Sequence, residues 1–254
     1  MDLIDSHCHI DVAAFDADRG EVLTRCRAAG INRLIVPAID VAGWEPLLSL
    51  CEQEQGLYPT LGLHPVFLEQ HQASDVEKLV EKLASTNVVA VGEIGLDFYQ
   101  ADLDRQRQKS LFEAQLAIAK QVDLPVILHV RKAHDEVLQL LKRFKVKGGV
   151  AHAFNGSWQQ AQQYMDLGFK LGFGGTMTYQ GSHKIHQLAK DLPIESIVLE
   201  TDAPDMVVAS HRGERNSPEY LIESLQALAT WRDEDINELA QQTTANTCAV
   251  FGLN

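Results

Sequence analysis

The chain has 254 residues, 45% of them hydrophobic, and its 35 acidic and 22 basic side chains give a formal net charge of −13. This size and apolar content exclude a small stapled fold, and no apolar run of 18 or more residues predicts a transmembrane helix. The negative net charge excludes broad, nonspecific binding to duplex DNA, which needs a basic surface. It does not exclude a nucleic-acid substrate, because bound metal ions make a site locally positive.

The N-terminus lacks the basic and apolar regions of a signal peptide, so we expect a cytoplasmic protein. None of the four cysteines forms a CxxC pair, which is typical of a reducing compartment and of buried, structural thiols. They are Cys8, Cys26, Cys51 and Cys248.

Eight short apolar runs, rich in Val, Ile and Leu, recur along the chain and alternate with segments of helical spacing. In chain order they cover residues 3–10, 33–39, 57–65, 88–96, 124–130, 148–154, 169–176 and 195–204. Nearly continuous apolar strands are typical of a parallel sheet that is buried on both faces. Eight of them predict an α/β protein with a (β/α)8 TIM barrel, as a single domain over residues 1–254. An open doubly wound sheet is the alternative, although no dinucleotide fingerprint follows the first run.

Apolar residues three and four positions apart predict helices between several of the runs. The clearest cover residues 104–122, 134–144, 217–231 and 233–253. Ser217 before Pro218 is typical of an N-cap followed by proline at the first helical position. The segment GFGGT at 172–176 indicates tight packing or close backbone approach at the barrel mouth.

Ionisable side chains lie at or near the ends of most of the apolar runs. They are His7, His9, His64, Glu93, His129, His152, Glu200 and Asp202. The carboxyl ends of barrel strands meet on the face that carries active sites in this fold, so we expect these side chains at one mouth. Because residues i and i+2 of a strand point to the same side, His7 and His9 would form a chelating pair with Cys8 directed away from them.

Six of these side chains offer a set of nitrogen and oxygen donors: His7, His9, Glu93, His129, His152 and Asp202. One tetrahedral site needs only three or four ligands, so six suit two divalent ions that share a bridging carboxylate. Zinc, manganese and magnesium all remain open as the ion. The other histidines are interpreted as solvated, although His211 could touch a substrate: His71, His134, His183, His186 and His211.

Seven motifs, in this order and spacing, make the whole chain resemble the TatD family of metal-dependent hydrolases, within the amidohydrolase-like barrels. They are DSHCHID (5–11), GLHP (62–65), GEIGLDF (92–98), LHVR (128–131), HAFNG (152–156), LETDAP (199–204) and RNSP (215–218). Two departures are HAFNG in place of a more usual HCFSG and the continuation after TDAP, which leaves the substrate loop open.

The resemblance implies the barrel, a deoxyribonuclease-type phosphodiesterase activity and two divalent metal ions. It implies one ion on His7, His9, Glu93 and Asp202, and a second on Glu93, His129 and His152, with Glu93 bridging. We expect Asp202 to be the general base. His64 has no ligand position in the family pattern and is expected at the scissile phosphate or the nucleophile.

Further side chains are expected around the substrate. Arg131 and Arg215 are candidate phosphate contacts, with a structural salt bridge as the alternative for each. Asn216 and Asp97 are candidate binding or supporting residues. Glu200 either orients a ligand histidine or is a solvated strand end. Phe98 and Tyr99 either stack on a base or pack in the core.

Three functions remain open at this point. The first is a dinuclear phosphodiesterase that acts on the ends of DNA, with single-stranded DNA as the partner molecule. The second uses the same site on a small-molecule ester, lactone, amide or phosphoester, and the third is a non-catalytic metal-binding or interaction protein. A basic pocket rim would favour the first, and a closed apolar pocket the second. We expect a monomer with no obligate protein partner and no membrane association.

Overall fold

Eight parallel strands alternate with helices around a barrel in the computed structural model, which describes residues 1–253. The strands are β1 (Leu3–Asp5), β2 (Ile31–Pro37), β3 (Leu57–Leu61), β4 (Ala90–Asp97), β5 (Val126–Arg131), β6 (Gly149–Ala151), β7 (Phe169–Phe173) and β8 (Ile197–Leu199). The α-helices are α1 (Arg19–Ala28), α2 (Val41–Gln53), α3 (Asp75–Ser85), α4 (Arg105–Val122), α5 (His134–Phe144), α6 (Trp158–Asp166), α7 (His183–Asp191), α8 (Leu221–Arg232) and α9 (Ile236–Phe251).

The strands pair in sequence order from β1 to β8, all parallel. The residues just beyond β1 and β8 then bring the first and last strands together. The amide of Ser6 donates to the carbonyl of Leu199 (2.9 Å), and the amide of Asp202 donates to that of His7 (2.9 Å). The predicted TIM barrel is confirmed, and the open doubly wound sheet is excluded.

The barrel interior is filled by one small apolar side chain from each of six strands, and a helix closes its lower end. These residues are Ile4, Ile35, Ala90, Ile127, Val150 and Val198, with Phe251 of α9 packed against them. A larger apolar layer lies between the sheet and the helices. Both faces of the strands are therefore buried, which explains why the sequence shows continuous apolar runs and no alternation.

Several predicted strands are longer than the observed ones. β1 ends at Asp5, so His7 and His9 lie beyond it, and the expectation that they share a strand is wrong. The segment is held on both sides, because the amides of Cys8 and His9 donate in opposite directions, to the carbonyls of Ile35 and Ala203. The two histidines still face the mouth, and Cys8 is fully buried on the other side.

The helix predictions are confirmed with small shifts at their ends. Asp104 and Asp235 cap α4 and α9, each by accepting two backbone N–H groups. The segment that starts at Ser217 begins as a 3-10 turn, and the Ser217 hydroxyl contacts Glu219 and no backbone amide, so the predicted capping bond is absent. No helix within residues 1–253 is long and apolar enough to cross a membrane.

Candidate metal centre

A pocket of about 760 Å³ opens at the carboxyl ends of the strands. Its floor is polar and contains Glu93, His129, His152 and Asp202. Its walls are largely apolar and include Val12, Ile39, Val66, Phe67, Ile185 and Met206. Arg131 is the one lysine or arginine among the lining residues described. The pocket is thus an apolar-walled cleft with its ionisable groups gathered at the bottom.

Glu93 lies at the centre of this floor, and only 1% of its surface is exposed. Its Oε2 is 3.2 Å from Nε2 of His7 and 3.5 Å from Nε2 of His9. Its Oε1 is 3.0 Å from Nδ1 of His129 and 3.7 Å from Nε2 of His152. Each carboxylate oxygen therefore faces its own set of imidazole nitrogens.

The first set has the spacing that a tetrahedral ion requires. The Nε2 atoms of His7 and His9 are 3.2 Å apart, and Oδ1 of Asp202 is 3.5 and 3.7 Å from them. Ligands held at ~2.0–2.1 Å from one ion lie about 3.4 Å from each other. Three groups of side chains have donor atoms close enough together to hold an ion: His7, Glu93 and His152; His7, His9 and Asp202; and His64, Glu93 and His129. The donor set thus fits divalent cations.

In three histidines, the hydrogen-bond partner on the far side of the ring determines which nitrogen faces this centre. Nδ1 of His9 lies 3.1 Å from the carbonyl of Pro37, and Nδ1 of His152 lies 3.2 Å from Oε1 of Glu200. Nε2 of His129 lies 2.9 Å from Oδ2 of Asp97. Because carbonyls and carboxylates accept, each of these nitrogens carries a proton, and the opposite nitrogen is the one that could offer a lone pair to a metal.

Glu200 is buried behind His152 and also accepts the amide of Ala153 at 2.5 Å. A side chain at residue 172 would occupy its place, since a Cβ there would lie 2.1 Å from Oε2 of Glu200. Tight packing or close backbone approach was predicted for GFGGT, and both are found: Gly172 packs against the Glu200 side chain, and a Cβ at Gly174 would lie 2.6 Å from the carbonyl oxygen of Glu200. Of the two interpretations of Glu200, orientation of a histidine is confirmed and the solvated strand end is wrong.

His64 differs from the other histidines on the floor. Its Nε2 lies 3.2 Å from Oε1 of Glu93, so distance alone would group it with the metal-binding candidates. However, its Nδ1 accepts the amide of Val66 at 3.1 Å, and burial lowers its pKa to about 4. The ring is therefore neutral with its proton on Nε2, and it presents a hydrogen-bond donor to the pocket where the other histidines present a lone pair.

Carboxylates set the charge of the histidines on the floor. Burial alone would lower the pKa of His9, but the hydrogen bond and charge of Glu93 outweigh it and raise the pKa to about 9. For His152 the charges of Asp202 and Glu200 likewise overcome burial and raise the pKa to about 10. Burial raises the pKa of Asp202 to about 6. Without metal, protons on these rings balance the carboxylates, and a divalent ion would take their place.

Asn216, which was expected at the substrate, instead holds the loop after β8. The Asn216 amide nitrogen donates to the carbonyls of Thr201 (2.8 Å) and Asp205 (2.6 Å), and its Oδ1 accepts the amide of Ser217. Its polar atoms are thus all used within the protein. Asp202, in the same loop, has a φ of 57°, a left-handed conformation that aspartate tolerates better than most residues.

The two arginines have different surroundings. Arg215 forms two hydrogen bonds of 2.8 and 2.7 Å with Asp18 and does not line the pocket, which corresponds to the salt-bridge alternative. Arg131 lines the pocket and lies 3.6 Å from Oδ2 of Asp97. Next to it, the ring of Tyr99 is 55% exposed, whereas Phe98 packs partly buried against the core.

The prediction that the remaining histidines are solvated is wrong for three of them. All three are buried: His71, His134 and His186. His71 is hydrogen-bonded to the carbonyl of His64, and His186 to the carbonyl of Met177. His134 is hydrogen-bonded to Tyr164 and Asn155. Barrel helices bury one face, and a histidine on that face finds its partners there. His183 is exposed, and His211 stacks on Tyr220 beside Glu214.

The sequence did not single out Asp5, which accepts both the amide and the hydroxyl of Thr201 across the seam between β1 and β8. Asp97, by contrast, carries a readable signal. It follows Glu93 by four residues on β4, so both side chains point to the same face of the strand.

Comparison with known proteins agrees with the fold and with a metal-dependent hydrolase. The model of the TatD related DNase family matches residues 4–252. The metal-dependent hydrolase YjjV of Escherichia coli K12, itself uncharacterized, is 42% identical, with 98% of each chain covered. Its crystal structure superimposes with a TM-score of 0.96, covering 99% of this chain and 98% of that one. A protein of Klebsiella pneumoniae named 3′-5′ ssDNA/RNA exonuclease TatD is 32% identical over 99% of this chain and 98% of its own. The resemblance read from the motifs is confirmed, and the chain belongs to the TatD family of metal-dependent hydrolases.

Proposed function

We propose that this hydrolase is a two-metal phosphodiesterase that removes nucleotides from an end of single-stranded nucleic acid. The observation that carries the proposal is Glu93, whose two oxygens face two separate sets of donors. Two ions that share a carboxylate are suited to in-line displacement at phosphorus, because both the attacking and the leaving oxygen need stabilisation.

The proposed ligands of one ion are His7, His9, Glu93 and Asp202, and those of the other are Glu93, His129 and His152. A bound ion supplies Lewis acidity and lowers the pKa of its water towards neutrality. Asp202 is the proposed general base: its pKa of about 6 leaves it ionised at neutral pH. His64 would donate its Nε2 proton to an oxygen of the scissile phosphate, since its Nδ1 is engaged by Val66.

The shape of the pocket favours a chain end as the substrate. A volume of about 760 Å³ lies within the range of ~300–1,000 Å³ for small-ligand sites, so the floor is reached by a nucleotide or two and not by a duplex. The apolar walls suit bases and sugars. The name of the Klebsiella pneumoniae relative, a 3′-5′ ssDNA/RNA exonuclease, supports the same substrate and direction.

A second candidate is a hydrolase of a small ester, lactone or phosphoester. The apolar walls and the single arginine of the lining favour it over an enzyme that grips a long polyanion. The same metal-bound hydroxide attacks carbonyl carbon as well as phosphorus. The proposal for nucleic acid takes precedence because it also accounts for the exposed tyrosine and arginine at the rim.

The test uses single-stranded oligonucleotides labelled at the 3′ or the 5′ end. Metal-stripped protein is resupplied with magnesium, manganese or zinc, beside Asp202→Asn and, as the matched control, Asp205→Asn, which changes a pocket carboxylate that contacts no histidine. We expect stepwise shortening from the 3′ end that Asp202→Asn abolishes and Asp205→Asn retains. Protein that binds two ions but cleaves no oligonucleotide would refute the proposal and favour the small-ester candidate.

A further inference from the structure

We propose that Tyr99, Arg131 and Lys132 form a second binding subsite at the pocket rim, which holds the phosphate and base of the nucleotide next to the scissile bond. We call these three residues the rim subsite. The identity of its ligand rests on the proposed function, while the subsite itself rests on the geometry and charge of the three side chains.

The three side chains form one stack on the exposed face of the molecule. The Arg131 guanidinium carbon is 4.2 Å from the centre of the Tyr99 ring, and the Lys132 ammonium is 4.9 Å from it. Both lie within the ~6 Å of a cation–π contact. The Tyr99 ring is 55% exposed, and both basic residues are exposed as well. An aromatic plane and two cations are thus presented together to solvent.

This stack is fixed to the metal centre through one carboxylate. Oδ1 of Asp97 accepts the amide of Tyr99 at 2.9 Å, and Oδ2 lies 3.6 Å from Nη1 of Arg131. The same Oδ2 is 2.9 Å from Nε2 of His129, a proposed metal ligand. One side chain therefore separates the rim subsite from the proposed metal ligands. A phosphate on the rim would belong to the nucleotide adjacent to the bond being cleaved.

The charge of the rim subsite is only partly neutralised by the protein. Among the described residues, Asp97 is the one carboxylate in contact with Arg131, and Lys132 has none. The chain has 35 acidic and 22 basic side chains, so two adjacent cations with so little acidic contact stand out at a pocket mouth. Such cations are available to an anionic ligand.

The backbone conformation of Lys132 also supports a binding role. Its φ is 52°, a left-handed conformation that a lysine adopts at a cost and a glycine would adopt freely. The strain places an ammonium over Tyr99 directly after the end of β5. Backbone strain of this kind concentrates at sites that hold ligands.

The chemistry of the three side chains selects the ligand. A guanidinium and an ammonium bind phosphate oxygens, the guanidinium through paired N–H groups. Bases in single strands stack on aromatic rings and on guanidinium planes. A nucleotide satisfies both, whereas an isolated phosphate or an apolar ester satisfies one at most.

The test compares binding and turnover in the metal-loaded enzyme. The variants are Tyr99→Ala, Arg131→Ala and Lys132→Gly, the last of which suits the left-handed backbone. The matched controls lie at the other end of α5: Lys145→Gly, at a lysine with φ of 56°, and Arg143→Ala, whose guanidinium lies 4.7 Å from the Phe144 ring. Binding is measured by fluorescence anisotropy with a phosphorothioate oligothymidylate. Turnover is measured on the same oligonucleotide with ordinary linkages and on bis(p-nitrophenyl) phosphate, which has no neighbouring nucleotide.

We expect each rim variant to weaken oligonucleotide binding by roughly 10-fold, the loss of one stacked base or phosphate contact. The ratio of kcat/KM for oligonucleotide over bis(p-nitrophenyl) phosphate should fall by a similar factor, and both controls should keep it. Arg131→Ala/Lys132→Gly should also reduce the slope of log binding constant against log salt by ~0.7, the value for the loss of one phosphate contact.

The outcomes separate this proposal from the proposed function. Equal losses on both substrates would show that the residues act through Asp97 on the metal centre, and would overturn the rim subsite. Unchanged binding and an unchanged salt slope in the rim variants, or no oligonucleotide binding by the wild type, would overturn it too. Rim-dependent binding without cleavage would support the rim subsite and refute the nuclease.

Discussion

Replacing Asp97 by asparagine should weaken metal binding at one of the two proposed sites and leave the other site unchanged. The Asp97 carboxylate accepts three hydrogen bonds: Oδ1 accepts the amides of Tyr99 (2.9 Å) and Gln100 (3.2 Å), and Oδ2 accepts Nε2–H of His129 (2.9 Å). Oδ2 also lies 3.6 Å from Nη1 of Arg131. Asparagine is nearly the same size but has only one oxygen. With that oxygen on the two amides, its NH₂ group must face His129.

The substitution of Asp97 by asparagine changes the tautomer of His129. An NH₂ group donates, so Nε2 of His129 must become the acceptor and the ring proton must move to Nδ1. Nδ1 is the atom that faces Glu93 at 3.0 Å, so the lone pair proposed to bind the second ion is lost. Changes in the residue behind a metal-binding histidine typically weaken metal affinity ~10–100-fold, which is about 1.4–2.8 kcal/mol. His7 and His9 do not contact Asp97, so the proposed site that contains them should keep its affinity for metal.

The assay is competition between the protein and a fluorescent zinc chelator, which resolves the two binding steps. We expect Asp97→Asn to weaken one step by 10–100-fold and leave the other within about twofold. Asp205→Asn, the same chemical change in a pocket residue without histidine contacts, is the control. Nitrogen chemical shifts of His129 in the metal-free variant report the tautomer independently of metal. Equal weakening of both steps, or a His129 still protonated on Nε2, would refute the reasoning.

Three further predictions concern the same floor. Glu93→Gln should reduce metal stoichiometry from two to at most one, measured by elemental analysis after dialysis, because the amide nitrogen cannot bind a metal as the second carboxylate oxygen does. Loading metal at pH 7 should release about two protons, from His9 and His152, because their metal-free pKa values of about 9 and about 10 lie above that pH. Calorimetry in two buffers counts these protons, affinity should fall as the pH is lowered, and no release would contradict the charges derived above. Asn216→Ala should lower the free energy of unfolding by about 2–4 kcal/mol, measured with urea, because the buried carbonyl of Thr201, the buried amide of Ser217 and the carbonyl of Asp205 lose their partner.

The barrel itself was readable from the sequence because its strands are buried on both faces. Buried parallel strands appear as continuous apolar runs, and eight such runs leave few architectures. A continuous apolar run does not show which of its residues face the barrel interior. Ile35 lies inside the barrel and Leu34 outside it, although their side chains are chemically equivalent. The inner layer and its closure by Phe251 therefore needed the structure.

The short strands were not readable for a related reason. β1 contains three residues, whereas the apolar and polar pattern continues to residue 10. The pattern records burial, and residues 6–10 are largely buried in the seam between β1 and β8 without belonging to a regular strand pair. Burial placed His7 and His9 at the correct end of the barrel even though the strand geometry assumed for them was wrong.

The distinction between a metal-binding histidine and a donor depends on what lies behind each ring. For His9 and His152 these partners are the carbonyl of Pro37 and the carboxylate of Glu200, which lie 28 and 48 residues away in the chain, so no local pattern reveals them. His64 is different, because it occupies the N-cap of the 3-10 segment Pro65–Gln70.

Proline at the first position of that segment has no N–H, so the first free amide belongs to Val66, within reach of an N-cap side chain. Nδ1 of His64 accepts that amide, and the ring proton is left on Nε2. The dipeptide His-Pro of the GLHP motif therefore determines, by local backbone chemistry alone, that this histidine faces the pocket as a donor. Of the histidines on the floor, His64 has a tautomer that was predictable from the sequence, and it is the one expected to act on the substrate.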